Sequence, residues 1–225
     1  RRRGKGAVTV LREIQGPAGR LEALLDMPAE PGVSHEGLLA TGAPGGLRAA
    51  VVLGHPHPQF GGTMHTKGVY HAAKGLSRIG CAVLRFNFRG VGKSEGAWDE
   101  GRGEHDDFRA ALDVMAARYP GVPLWAGGMS FGSWVGLSLG AADPRVSAVI
   151  GVATPVNRWD FDAVAQCPKP KFFIHGELDE ICGFKEITAF YSRAVDPKEL
   201  VIIDGSDHLF NGKASQVADA VEELL

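Results

Sequence analysis

From residue 49 onward the chain alternates between short runs that are apolar on every side and longer stretches where apolar residues return every three or four positions. The runs are AAVVLG (49–54), CAVLRFNF (81–88), VPLWAG (122–127), VSAVIGVA (146–153), KFFIHG (171–176) and ELVIID (199–204). Each is too short for a buried helix and the set is rich in Val and Ile, so each is read as a strand. The intervening periodicity predicts helices over 67–79, from about 104 to 118, over 131–142, over about 184–194 and over 213–225. Strands that are apolar on both faces need cover on both faces. The pattern therefore predicts an α/β fold, a single doubly wound and mostly parallel sheet with helices on each side. Upstream, residues 8–15 and 21–27 read as two antiparallel strands joined by the turn GPAG, and 29–46 is a polar, glycine-rich loop without a period. No internal repeat, low-complexity segment or linker interrupts the chain. The expectation is one domain over 1–225, with strands and a loop in 1–48 and the core that carries the site in 49–225. In such sheets ligands gather at the carboxyl ends of the strands, so the residues just after each strand carry the most information.

Composition narrows the field only modestly. Among 225 residues, 44% are hydrophobic and 22% charged, with a formal net charge of −2. That balance gives no general attraction to nucleic acid or to an anionic membrane. The one basic run, Arg1, Arg2, Arg3 and Lys5, reads as a solvated end. No apolar run approaches the roughly 20 residues that span a bilayer. The chain does not begin with Met, which leaves a removed leader open. Cys81, Cys167 and Cys182 are scattered and form no C-x-x-C pair. They argue against a disulfide framework, fit a reducing compartment and predict a cytoplasmic protein.

The motif G-x-S-x-G occurs three times, around Ser94, Ser130 and Ser138. Ser138 lies mid-helix, where a hydroxyl usually bonds back to its own turn. Ser94 lies in a glycine-rich turn, RGVGKSEG, with no helix directly behind it. Ser130 follows a strand directly, precedes a helix directly, and has Gly127, Gly128, Gly132 and Ser133 around it. A nucleophile on a sharp strand-to-helix turn sits in strained backbone and tolerates only small neighbours. Ser130 is the predicted nucleophile.

A serine hydroxyl needs a base, and the base needs an orienting acid. For this type of turn the expected chain order is Ser, then acid, then His. Of eight histidines only His175 and His208 follow Ser130. His175 closes a strand and has no strand-end carboxylate before it except around Asp160–Asp162. His208 follows the last strand, with Glu177, Asp179 and Glu180 upstream of it. Asp179 is the predicted acid and His208 the predicted base. Glu177 and Glu180 are expected to be solvated, and Asp204 and Asp207 to shape the histidine loop.

These three stretches, GMSFG, HGELDEI and GSDHLF, resemble the α/β-hydrolase fold. Two others, GHPHPQFGGTM (54–64) and NFRGVGKSEGAWDEG (87–101), resemble the small, cap-less dienelactone-hydrolase-like esterases of that superfamily. The likeness runs from about Ala49 to the end of the chain. It departs from dienelactone hydrolase at the nucleophile, Ser130 in place of Cys, so that enzyme's substrate is not carried over. The resemblance implies a carboxylic ester hydrolase acting on a small-molecule ester through an acyl-enzyme, with no cofactor. It also implies an oxyanion hole made by the N–H of Phe131 and the backbone N–H of His57, because Pro56 and Pro58 have none. A peptidase, a thioesterase or a non-catalytic binding protein on the same fold are the alternatives.

A zinc site at His55, His57, His65 and His71 would need convergent ligands, and no carboxylate lies between Arg48 and Lys74; no metal is expected. The glycines and arginine of RGVGKSEG do not have the spacing of a phosphate-binding loop. Residues 154–170 have room for one short helical turn and no cap. Phe60, Met64, Met129, Trp159, Phe161 and Leu209 are the predicted apolar walls of a shallow pocket. A homodimer is left open.

Overall fold

The computed structural model describes residues 11–28 and 46–225. Eight strands, β1 (Glu13–Gly16), β2 (Gly19–Asp26), β3 (Ala50–Gly54), β4 (Ala82–Phe86), β5 (Leu124–Met129), β6 (Val146–Val152), β7 (Lys171–Gly176) and β8 (Lys198–Ile203), form one sheet. Their spatial order is β1-β2-β4-β3-β5-β6-β7-β8. β1 pairs with β2, and β2 with β4, in antiparallel fashion; every other pairing is parallel. Six helices connect them: α1 (Lys67–Arg78), α2 (Arg102–Arg118), α3 (Phe131–Ala142), α4 (Asp162–Gln166), α5 (Phe184–Arg193) and α6 (Ala214–Leu224).

Period-two alternation along the buried strands divides the core into two layers. Ala50 and Val52 of β3 and Ala82, Leu84 and Phe86 of β4 face the layer built with α2, α3, α4 and α5. Val51 and Leu53 of β3 and Val83 of β4 face the layer built with α1 and α6. Two continuous apolar layers, one on each side, are what strands without a polar face demand.

The elements differ from their sequence expectations mainly at their ends. Of the expected first strand, residues 8–10 lie outside the described residues, as does 29–45 of the expected loop. The turn between β1 and β2 is tighter than the four residues of GPAG, because Gly16 and Gly19 already pair. α2 begins at Arg102 rather than near Glu104, since the Glu104 carboxylate reaches back to accept the N–H of Gly101 at 2.8 Å. The shift that bears on the site is that of β5, which runs through two glycines to Met129 instead of ending at Gly127. Glycine weakens a strand, yet here Leu53 pairs with Gly127 and Gly54 with Gly128, while Gly127 and Gly128 also meet Ile150 and Gly151 of β6. The strand therefore delivers Ser130 directly from the centre of the sheet.

Candidate active site

Ser130 sits between β5 and α3 with φ 53° and ψ −120°. A positive φ is uncommon for a residue with a side chain, and local strain of this kind persists only where surroundings over-determine it. Those surroundings are visible. The Ser130 N–H donates to the Val152 carbonyl at 2.9 Å, and the Ser133 hydroxyl donates to the Ser130 carbonyl at 2.6 Å. Gly54, Gly128 and Gly132 meet backbone to backbone: a Cβ on Gly132 would lie 2.3 Å from the Gly54 carbonyl carbon, and one on Gly128 would lie 2.5 Å from Gly132. At positions 128 and 132 only glycine fits.

The Ser130 hydroxyl donates to His208 Nε2 at 2.9 Å, and His208 Nδ1–H donates to Asp179 Oδ2 at 2.8 Å. The second carboxylate oxygen, Oδ1, accepts the N–H groups of Ile181 at 2.8 Å and Cys182 at 2.9 Å. All three residues are buried. Burial pushes the Asp179 carboxyl up, but the hydrogen bonds from His208 and from the Cys182 N–H, with the nearby His208 and His175, outweigh it and hold Asp179 below the usual carboxylate value. Three strand ends thus converge on one chain of hydrogen bonds, linking a hydroxyl, an imidazole and an ionised carboxylate.

Glu177 and Glu180 are exposed, as expected, but not merely solvated. Glu177 Oε2 accepts the Gly205 N–H at 2.7 Å, and Glu180 Oε2 accepts the His208 N–H at 3.2 Å. Together with the Leu178 N–H, which donates to the Ser206 carbonyl at 2.8 Å, they lace the acid loop to the histidine loop. Asp207 accepts from the N–H and side-chain amide of Asn211, each at 2.8 Å, which shapes the histidine loop as expected.

The other two G-x-S-x-G serines have different surroundings. The Ser94 hydroxyl donates to the Asn87 carbonyl at 2.7 Å and accepts the Glu22 N–H at 2.9 Å, tying its loop to β2. Ser138 lies half-buried in α3. The glycines beside it allow close approach, since a Cβ on Gly136 would meet the Gly127 carbonyl oxygen at 2.5 Å. Arg89, in the loop with Ser94, is committed to Asp107 by three hydrogen bonds, two from its guanidinium at 3.0 and 2.7 Å and one from its backbone N–H at 3.0 Å. Its guanidinium fastens that loop to α2. Burial pushes the thiols of Cys81 and Cys182 up to about 12 and about 11, so both stay protonated and unreactive near neutrality.

The loop after β3 lies against the turn that carries Ser130: the His57 and Phe131 rings are 5.2 Å apart, centre to centre. Phe131 is the first residue of α3, so its N–H has no partner within the helix. Among the described residues the backbone N–H of His57 also has no acceptor. His55, by contrast, is fully engaged. Its Nδ1–H donates to the Pro56 carbonyl at 2.6 Å, and its Nε2 accepts the Phe88 N–H at 3.1 Å. Burial lowers its pKa to about 4, which keeps it neutral. With both nitrogens used, it has no lone pair for a metal, and among the described residues no three His, Cys, Asp or Glu side chains are grouped to hold one.

The predicted pocket walls fare unevenly. Met64 and Met129 are 2% and 0% exposed, and Phe161 is buried against Phe190. Met129 packs toward Gly68 and belongs to the layer under α1 and α6. These three are interior residues, because the side chains beside a buried turn are drawn into the packed layers. Phe60 and Leu209 are 84% and 46% exposed, and Trp159 is half-buried. Sequence reasoning missed Trp98 and Trp134. Trp98 stands 4.6 Å from His57 and 5.4 Å from Phe131, and Trp134 stacks on Trp159 at 5.1 Å. A continuous aromatic wall therefore flanks the turn that carries Ser130. Its only sequence signal is Trp134 at one helical turn from Ser130.

Residues 46–170 match the family model Serine aminopeptidase, S33, and the chain belongs to this family of α/β hydrolases. A relative from Rickettsia prowazekii (strain Madrid E), Uncharacterized protein RP471, is 34% identical over 94% of this chain and 87% of its own. The solved structure of an α/β serine hydrolase homologue from Coxiella burnetii is similar with a TM-score of 0.84 and 31% identity, over 99% of this chain and all of that one. XC6422 from Xanthomonas campestris, described as an α/β serine hydrolase without lid, is similar with a TM-score of 0.82 and 30% identity, over 99% and 95% of the two chains. The chain is an α/β serine hydrolase by family. Among the described residues, the stretch between β6 and β7 holds only the five-residue α4 and no separate lid.

Proposed function

We propose that this protein hydrolyses carboxylic esters of small molecules with short acyl groups, using Ser130 as nucleophile, His208 as base and Asp179 as orienting acid. The observation that carries the reading is the unbroken hydrogen-bond chain from hydroxyl to imidazole to carboxylate, at 2.9 and 2.8 Å. As Ser130 Oγ attacks the ester carbonyl carbon, His208 Nε2 takes its proton, and Asp179 stabilises the imidazolium through Nδ1–H. The N–H groups of Phe131 and His57 receive the developing oxyanion, and removing one such donor typically costs about 10²–10³ in kcat. His208 then gives the proton to the departing alkoxide, leaving an acyl-enzyme on Ser130. Water, deprotonated by the same imidazole, attacks the acyl carbon, and the Ser130 oxygen leaves with that proton.

The test is a panel of p-nitrophenyl esters, acyl thioesters and aminoacyl p-nitroanilides, with Ser130→Ala as blank. Ester turnover that is lost in the blank supports the reading. Turnover of the anilides alone would favour the peptidase reading that the family's description suggests. No turnover of any of them, with Ser130 inert to a fluorophosphonate, would sink catalysis by this triad.

A further inference from the structure

His175, at the end of β7, has no part in the proton transfers just described, yet it stands beside the acid. Its Nε2 lies 2.7 Å from the Cys182 carbonyl oxygen and 3.4 Å from Asp179 Oδ2. Both neighbours are acceptors, so the proton of the neutral ring must sit on Nε2. That leaves Nδ1 as a bare acceptor, and it is fully enclosed without a hydrogen-bond partner among the described residues. A buried polar atom left unpaired is costly, and a side chain such as Leu or Phe would avoid the cost. What only a donor supplies here is the Nε2–H.

We propose that His175 is a positioning residue for the triad, a neutral donor that fixes the Asp179 turn and tempers the charge its carboxylate presents to His208. The path is short. His175 Nε2–H holds the Cys182 carbonyl, and the Cys182 N–H holds Asp179 Oδ1 at 2.9 Å. The positive end of the same N–H lies near Oδ2, the oxygen that accepts from His208. A protonated His175 would add a full charge beside the base. Burial, the largest influence, depresses its pKa and keeps it neutral despite the adjacent carboxylate.

The charged and titratable groups on the elements around it are Glu177, Asp179, Glu180 and Cys182 on its own loop, and Asp204, Asp207 and His208 after β8. Of these, Asp179 and His208 act on His175 electrostatically. Glu177, Glu180 and Asp207 are spent on backbone N–H groups. Removing the donor therefore acts on the Asp179–His208 pair. Without the N–H dipole the carboxylate stabilises the imidazolium form of His208 more strongly. The acid limb of Ser130 reactivity then moves upward.

This inference rests on the proposed triad, so the assay is chosen to separate the two. The rate of Ser130 phosphonylation by a fluorophosphonate is followed from pH 5 to 9 and needs no knowledge of the substrate. His175→Gln keeps an N–H at a similar reach, whereas His175→Phe keeps the ring and loses the donor. Circular dichroism and thermal melts check that each variant is folded. The expected result is about a tenfold slower reaction in His175→Phe, the size expected for one lost hydrogen bond, with the acid limb displaced upward and both effects largely reversed in His175→Gln. A folded His175→Phe with the wild-type rate and profile would overturn the proposal. So would equal losses in both variants with an unmoved acid limb, which is the signature of packing alone. If His175→Phe does not fold, His175→Leu and the profile of His175→Gln decide it, since Gln must then keep the wild-type limb. Absence of labelling in the wild-type protein would fail the triad itself rather than the role of His175.

Discussion

Single side chains carry most of the chemistry, and their losses should not add. Ser130→Ala or His208→Ala is each expected to lower kcat by several orders of magnitude, and the double variant to be little worse, because the members of such a unit act together. Asp179→Asn is expected to cost somewhat less, up to about 10⁴-fold. Steady-state kinetics on the best ester of the panel checks all four variants. Near-normal turnover in Asp179→Asn would move the acid elsewhere, with Glu177 or Asp162 the first to examine. A different residue governs acid tolerance. His55 titrates near pH 4 when folded and near 6.5 when unfolded. The unfolded chain thus takes up this proton first, so the stabilisation from neutral His55 is complete above about pH 6.5 and drains away between there and pH 4. His175, lowered in the same direction by burial, adds to the loss. Asp179 opposes neither, because its depressed value keeps it ionised over that window. Urea midpoints at pH 7, 5.5 and 4.5 are expected to fall steadily, and His55→Gln to flatten the slope. Equal slopes in the two proteins would remove His55 from the account.

At the scale of elements, the β5–α3 turn packs backbone to backbone on the end of β3. Gly132→Ala would drive a Cβ to 2.3 Å from the Gly54 carbonyl carbon, against backbone that cannot step aside. A loss of about 1–3 kcal/mol from overpacking and of Ser130 labelling is expected. Gly212→Ala meets nothing within 4 Å and carries only the strain of φ +73°, of about 1–2 kcal/mol, with labelling intact. Thermal melts beside labelling assays distinguish the two, and a Gly132→Ala protein that melts and labels like wild type would refute the argument. The same contact explains what could be read from the sequence. The small residues around Ser130 announced a close approach, and the strand–turn–helix order announced its direction. The end of β5 was not legible, because a strand that survives two glycines does so through neighbours on both sides. Nor was the lacing by Glu177 and Glu180, since exposed carboxylates are ordinary on a surface until two loops are known to be adjacent. Met64, Met129 and Phe161 went astray for a related reason: nearness in sequence to a site does not say which way a side chain faces.

For the molecule as a whole, the described residues beside the triad that come from outside the sheet are loop residues and the start of α3. The exposed rings and chains of Phe60 and Leu209, with half-buried Trp159, offer apolar contact without enclosing it. Each buried CH₂ is worth about 0.8 kcal/mol, so the gain should stop once an acyl chain extends past these walls. kcat/KM is expected to peak at short acyl esters, with no jump when substrate forms micelles. A value that climbs through long chains would reveal an enclosed site. No helix among the described residues is long and apolar enough to cross a membrane. The layered sheet was the most legible feature of all, because strands apolar on both faces admit few other arrangements. The aromatic wall was not, since Trp98, Trp134 and Trp159 come from separate stretches that only the fold brings together.

The twisted backbone at Ser130 also has a meaning in time. Its φ of 53° is held by Val152 of β6, and the glycine contact behind it needs β3 in place. Its hydroxyl meets His208 from beyond β8 and, through it, Asp179 from beyond β7. During refolding, the arrangement proposed to make Ser130 reactive can therefore come into being only after strands far apart in the chain have found one another. Fluorophosphonate capture, sampled as denaturant is diluted away, would act as a clock for the last stage of assembly, lagging behind the recovery of secondary structure.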